Sequence, residues 1–228
     1  MPTSLCAPLS APLRVWSVDL TDDRWDEDAA AARLTPGERA AADRGVAAVR
    51  RRRVLVRAVL RTVLGDLLRL APADVPLEVR GGRPLVRSAR RGPGVSCSTA
   101  GGLALVAVAP RAGLGIDLEP AGPGPEGDEW LAAPELARLA GRAGEGTGEG
   151  IERTRAWTAK EAVLKAEGTG LRRDPRTVVT PAGGRGRLGS WWLAPLPVPA
   201  GWVATAALDR RWDPARVRVR PLTPERLR

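Results

Sequence analysis

Asp117 and Glu119 stand two residues apart in GLGIDLEP (113–120), a run that reads as a β-strand ended by Pro120. Side chains alternate across a strand, so the two carboxylates leave the same face. The strand follows GLALVAVA (102–109), a near-continuous apolar run of the kind buried on both faces, which puts the acids at the rim of a core. Paired carboxylates in that position suit a divalent cation, and oxygen ligands favour Mg²⁺. A strand end dipping into solvent would carry the same two residues.

A second group lies on the helical run at 152–167. Trp157, Glu161 and Lys165 are spaced i, i+4, i+8 and share one face, with Lys160 beside Glu161. Placed next to Asp117 and Glu119, this face adds a third carboxylate for metal or base work and a cation for phosphate. In isolation the same spacing describes an ordinary Glu–Lys pair on a wet helix. Lys160 and Lys165 are nonetheless the only lysines of the 228 residues, arginine serving everywhere else. GGRP (81–84) and SCSTAGG (96–102) read as small-residue turns whose N–H groups and hydroxyls can cradle an anion, although glycine-rich turns are common without one.

The elements that hold these residues follow from periodicity and caps. LRVWSVDL (13–20) alternates as an edge strand does. Residues 34–45 form a helix opened by Thr35 as N-cap, Pro36 at N1 and Glu38 closing a capping box. Residues 46–70 give the clearest helix, with Val49, Val56, Leu60, Val63 and Leu67 on one stripe. Arg50, Arg53, Arg57 and Arg61 gather on another face, read as solvated. Arg52 borders the apolar stripe and must snorkel or find an anion. Residues 77–86 form a hairpin centred on Gly81 and Gly82, 130–140 a short helix, and 141–150 a flexible loop. Two further strands come from GSWWLAPL and GWVATAAL, before a Pro- and Arg-rich tail. The order indicates an α+β fold of two comparable halves, 1–112 and 113–228.

Composition narrows the chemistry. The chain has no His, Phe or Tyr, and no Asn or Gln occurs along it. His-dependent nucleophilic catalysis and His-ligated zinc or haem are thereby excluded. Cys6 and Cys97 have neither CxxC nor zinc-site spacing and read as reduced structural thiols. No basic segment followed by an apolar core opens the chain, and no apolar run is long enough to span a membrane, so a cytoplasmic protein is expected. The net charge of +10 fits nucleic acid, a polyanionic cofactor or an acidic protein partner, but no nucleic-acid-binding module is recognisable.

Taken together, GIDLE (115–119) and WTAKEAVLKAEGTGL (157–171), some forty residues apart, resemble the two main motifs of the 4′-phosphopantetheinyl transferases of the longer, single-chain type serving polyketide and peptide synthetases. RRRRVLVRAVLRTVLG, GGRP and SCSTAGGLALVAVA are similar to that family's earlier motifs in order and spacing, so the likeness covers roughly 33–210. The resemblance implies a pseudo-twofold fold of two similar α+β halves, with coenzyme A and Mg²⁺ between them. It implies transfer of the 4′-phosphopantetheine group to a serine of an acyl or peptidyl carrier protein, releasing 3′,5′-ADP, by a monomer that engages neither nucleic acid nor membrane. Asp117, Glu119 and Glu161 correspond to the metal-binding acids, Glu161 also to a general base. Lys165, or Lys160 as well, corresponds to the phosphate-facing lysine. Arg52 and Arg83 correspond to residues holding the 3′-phosphate end of coenzyme A, Ser98 to a phosphate contact, and Glu135 to a further acid near the metal. Thr99 stands where the family has a phosphate-contacting His; losing one charge-assisted hydrogen bond weakens coenzyme A binding by ~1–2 kcal/mol. The alternative this departure raises is a catalytically impaired relative that binds coenzyme A or carrier protein without turnover.

Overall fold

The structure, a computed structural model, describes residues 13–87, 92–110, 113–141 and 147–227, so Cys6 lies outside the described residues. The first half comprises β1 (Arg14–Asp19), α1 (Glu27–Ala31), α2 (Pro36–Ala42), α3 (Ala47–Leu68), β2 (Leu77–Arg80), β3 (Arg83–Val86), β4 (Gly94–Ala100) and β5 (Leu103–Ala109). The second comprises β6 (Leu114–Pro120), α4 (Ala133–Ala140), α5 (Thr147–Glu167), β7 (Gly186–Leu188), β8 (Trp191–Pro195) and β9 (Trp202–Leu208). A last strand, β10 (Val219–Pro221), returns to pair parallel with β1. Two four-stranded sheets result, ordered β10-β1-β5-β4 and β6-β9-β8-β7, with the β2–β3 hairpin apart.

Four layers account for the patterning. Val18, Ala104, Val106 and Val108 pack with Val54, Leu55 and Val59 of α3 on one face of the first sheet. Val15, Leu105 and Ala107 on the other face meet Leu114, Ile116, Leu118, Ala204, Ala206 and Leu208 of the second sheet. The far face of that second sheet, through Leu193 and Ala207, receives Ala159, Ala162, Val163 and Ala166 of α5. Strands β5 and β9 are covered on both faces, which is why β5 reads as an unbroken apolar run and β9 as one broken only by the buried Thr205. Each half is thus a sheet with one long helix on its outer face: the expected α+β organisation of two similar halves. Among the described residues no helix is long and apolar enough to cross a membrane.

Several expectations are corrected. Strand β1 lies inside its sheet rather than at the edge, because the three-residue β10 covers its free side. Residues 96–100 form strand β4, not a turn; only Gly101 and Gly102 turn the chain. Helix α5 begins at Thr147, taking in residues expected in the 141–150 loop, the rest of which (142–146) lies outside the described residues. The middle of α3 is buried all round, and Arg61 with it at 1% exposure. Its guanidinium bonds Glu38 at 2.6 Å and the carbonyls of Pro72, Ala73 and Val75. The same Glu38 closes the capping box of α2, so one carboxylate caps one helix and neutralises the arginine of the next.

Candidate functional site

Strand β6 has its outward face turned to α5, and Gly115 lets the helix come close. Asp117 and Glu119 project on this same side, while Leu114, Ile116 and Leu118 fill the layer between the sheets. The free edge of β6 meets β4 through hydroxyls. Ser96 Oγ accepts from the Ile116 amide at 3.0 Å and Ser98 Oγ from the Leu118 amide at 3.2 Å. Two serines thus replace a strand ladder and join the sheets at the site. The period-2 spacing of Ser96 and Ser98 was the sequence signal for this seam, obscured by reading the segment as a turn.

A cleft of about 440 Å³ opens where β4, β6 and α5 meet, lined by Ser98, Thr99, Asp117, Glu119, Trp157, Glu161 and Lys165, with Cys97 and Leu171 at its walls. Asp117 is 2% exposed. Its Oδ1 accepts from Lys165 Nζ at 2.5 Å and Ser98 Oγ at 2.8 Å. Lys165 also donates to Ser98 Oγ at 3.2 Å. Burial raises the Asp117 carboxyl despite the opposing charge of Lys165 and the Ser98 hydrogen bond. Glu119 is raised by burial and by the neighbouring Asp117, against a hydrogen bond from the Trp157 indole. Burial raises Glu161 as well, with Lys165 opposing and Asp117 assisting. Among the described residues these three crowded acids have one cation, Lys165, between them.

Two oxygens point to where further positive charge belongs: Asp117 Oδ2 and Glu161 Oε1 are buried without a hydrogen-bond partner among the described residues. Among the described residues no three acidic, His or Cys side chains are gathered as a ready-made metal cage. Mg²⁺ does not require one, since it is commonly held by one or two carboxylates together with water and substrate phosphate. The residues present fit that mode, with Asp117 and Glu161 offering free oxygens and Glu119 beside them.

The other candidates separate. Lys160 is fully buried and turned away from the cleft. It pairs with Glu135 at 2.6 Å and donates to the carbonyls of Pro175 and Val178. Glu135 accepts from the Ala132 and Thr180 amides and the Thr180 hydroxyl, so both side chains are engaged away from the cleft in this structure. Burial alone would raise Glu135, but these bonds outweigh it and hold the carboxyl below its ordinary range. The adjacent positions 160 and 161 necessarily face different sides of α5, and the inward side takes the lysine. Arg83 does not line the cleft; it donates to the carbonyls of Ala166 (2.7 Å) and Leu114 (3.3 Å), tying the β2–β3 hairpin to α5 and β6. Arg52 borders a second hollow of about 260 Å³, with Arg51, Val49 and the Gly101–Gly102 turn. That turn follows Thr99 and Ala100, so the two hollows are successive along β4.

Trp157 also has a task that spacing alone did not reveal. Its ring packs edge-on against Trp130, centroids 5.3 Å apart, and its indole opposes the burial that raises Glu119. No curated protein matches the chain. Residues 113–200, which contain Asp117, Glu119, Glu161 and Lys165, match the family model of the 4′-phosphopantetheinyl transferase superfamily. With an α+β fold and these four side chains on one cleft, the chain carries over residues 113–200 a domain of the 4′-phosphopantetheinyl transferase superfamily.

Proposed function

We propose that the chain transfers the 4′-phosphopantetheine group of coenzyme A to a serine of an acyl or peptidyl carrier protein, with Mg²⁺, as a holo-carrier-protein synthase of secondary-metabolite assembly lines. The observation that carries this reading is the convergence of Asp117, Glu119, Glu161 and Lys165 with Ser98 and Thr99 on one cleft, two of the acid oxygens being buried and unpartnered. Asp117, Glu119 and Glu161 would hold the cation, which when bound offsets charge on the pyrophosphate and the departing 3′,5′-ADP. The serine oxygen forms the new bond to phosphorus as the bond from phosphorus to the leaving phosphate oxygen breaks. The serine proton passes to a carboxylate, assigned to Glu161, which lines the cleft with its Oε1 buried and unpartnered among the described residues. Lys165 faces the transferred phosphate, and Ser98 and Thr99 contribute hydroxyls.

The second hollow supports a place for the far end of coenzyme A: Arg52, with Arg51 beside it, meets the 3′-phosphate, while Arg83 acts on the site only by tying the β2–β3 hairpin to α5 and β6. Because β4, β6 and α5 of one chain complete the cleft, a monomer suffices. The charge of +10 favours encounter with an acidic carrier in the cytoplasm.

Mass spectrometry of an apo carrier protein incubated with coenzyme A and Mg²⁺ tests the reading. A gain of the phosphopantetheine mass is expected, and Glu161→Ala should abolish it while leaving the thermal melt unchanged. No gain from folded wild-type protein overturns transfer. Thr99 motivates the second reading, a coenzyme A-binding relative without turnover; calorimetric binding of coenzyme A combined with no carrier modification would favour it.

A further inference from the structure

The ammonium of Lys165 stands in the cleft against Asp117, one of the acids proposed to hold the divalent cation. It sits 2.5 Å from Asp117 Oδ1 and 3.2 Å from Ser98 Oγ, while Asp117 Oδ2 and Glu161 Oε1 are buried with nothing to accept from among the described residues. Ser98 holds the arrangement, donating to the same carboxylate oxygen at 2.8 Å. The lysine side chain retains 30% exposure, against 3% for that of Asp117, so it reaches the carboxylate from the cleft side and has room to leave. Its four-carbon stem allows such a move without displacing the helix. Moreover, no cage of three acids is assembled among the described residues while the lysine is in place.

We infer that Lys165 is the resident counter-ion of the cation site, competing with the divalent ion for Asp117, so that metal occupancy requires its ammonium to swing off the carboxylate toward phosphate. This rests on the proposed metal-dependent transfer. It adds that cation and pyrophosphate bind cooperatively: phosphate gives the displaced ammonium a new partner, and the freed Asp117 oxygen completes the cation's ligands. A protein with neither bound keeps Asp117 paired with Lys165, which disfavours adventitious metal in the cleft.

The test is direct binding of Mn²⁺ to the full chain, followed by the electron paramagnetic resonance signal of the free ion, without coenzyme A or carrier protein. Lys165→Met, which removes the charge and keeps the stem, should bind Mn²⁺ at least about tenfold more tightly than wild type, since a like charge beside the ligand is gone. Lys165→Gln repeats the measurement should the methionine variant fail to fold. Lys165→Arg, with the charge kept, should stay near wild type, and adding Asp117→Asn to Lys165→Met should erase the gain. Equal or weaker Mn²⁺ binding by Lys165→Met, an equal gain in Lys165→Arg, or no Mn²⁺ binding in any variant overturns the inference. Carrier modification is measured separately, so a working transferase with unchanged Mn²⁺ binding sinks the counter-ion role and leaves the proposed function standing.

Discussion

A Cβ on Gly115 would lie 1.9 Å from the carbonyl oxygen of Ala162 and 2.5 Å from the Ala166 amide nitrogen. Both are backbone atoms of α5, so no side-chain rotation relieves the clash. The glycine is what allows the helix to lie against β6 closely enough for Lys165 to reach Asp117. Gly115→Ala should therefore destabilise the chain by about 3 kcal/mol through overpacking. It should also part the helix from the strand and lower transfer sharply. Urea unfolding and the carrier assay check this together; wild-type values in both would contradict the close-approach argument.

Trp157 is expected to act through Glu119. Burial and the charge of Asp117 push the Glu119 carboxyl up, and the indole hydrogen bond opposes them. Trp157→Phe keeps an aromatic ring against Trp130 but loses the donor, so Glu119 should take up its proton at higher pH. The acid limb of the pH–rate profile should then move upward, with no more than about 1 kcal/mol lost from stability. An unmoved profile would show that the tryptophan only packs.

Much of this arrangement was legible in the residues, because periodicity decides which side chains share a face. The two-residue spacing of Asp117 and Glu119 and the four-residue steps from Trp157 to Lys165 did place all five side chains on one cleft. The capping box of Thr35 and Glu38 likewise needs no tertiary information. What periodicity cannot give is the partner across space. Lys160 is adjacent to a cleft residue yet buried, because its acceptors come from α4 and from carbonyls at 175 and 178. Arg61 looked solvated because Glu38 and three carbonyls waiting for it are 11 to 23 residues away. The strand at 96–100 was hidden by its small polar residues, whose hydroxyls have the long-range task of satisfying β6.

The buried Lys160–Glu135 pair makes a stability prediction. Lys160→Met leaves a carboxylate with no exposure and no cation, which should cost about 3–5 kcal/mol. Glu135→Gln in the same chain removes the stranded charge and keeps an acceptor for Thr180, so the double variant should recover most of the loss. Chemical denaturation of the three proteins measures it. An additive double variant would mean that the two side chains are not coupled.

Acid should weaken the fold at these same carboxylates. Glu135 and Glu38 are both held below the ordinary value of 4.5: burial alone would raise each, but hydrogen bonds from Lys160 and Thr180, and from Arg61 and Thr35, outweigh it. A carboxylate depressed in the folded state contributes stability that is complete above 4.5 and is lost as pH falls through its folded value. The contribution of these two groups should therefore be complete above pH 4.5 and lost below it, so the wild-type melt should fall more steeply below pH 4.5 than that of the Lys160→Met/Glu135→Gln variant, which has one such group fewer. The raised Asp117, Glu119 and Glu161 act in the opposite direction in both proteins and cancel in the comparison. A fall equal to that of wild type would assign the acid sensitivity elsewhere.

Thr99 offers a prediction in the direction of gain. It lines the cleft next to Ser98, where its hydroxyl can donate to phosphate but carries no charge. Thr99→His would supply an imidazole whose protonated form makes a charge-assisted bond, worth about 1–2 kcal/mol, or roughly a five- to thirtyfold tighter coenzyme A complex. The gain should be largest near pH 6 and fade by pH 8, as the imidazole loses its proton around its ordinary pKa of about 6.5. Calorimetric titration of coenzyme A across that range separates this from a steric effect, which would be independent of pH. Unchanged or weaker binding at pH 6 would mean that the phosphates pass the cleft without approaching β4 at position 99.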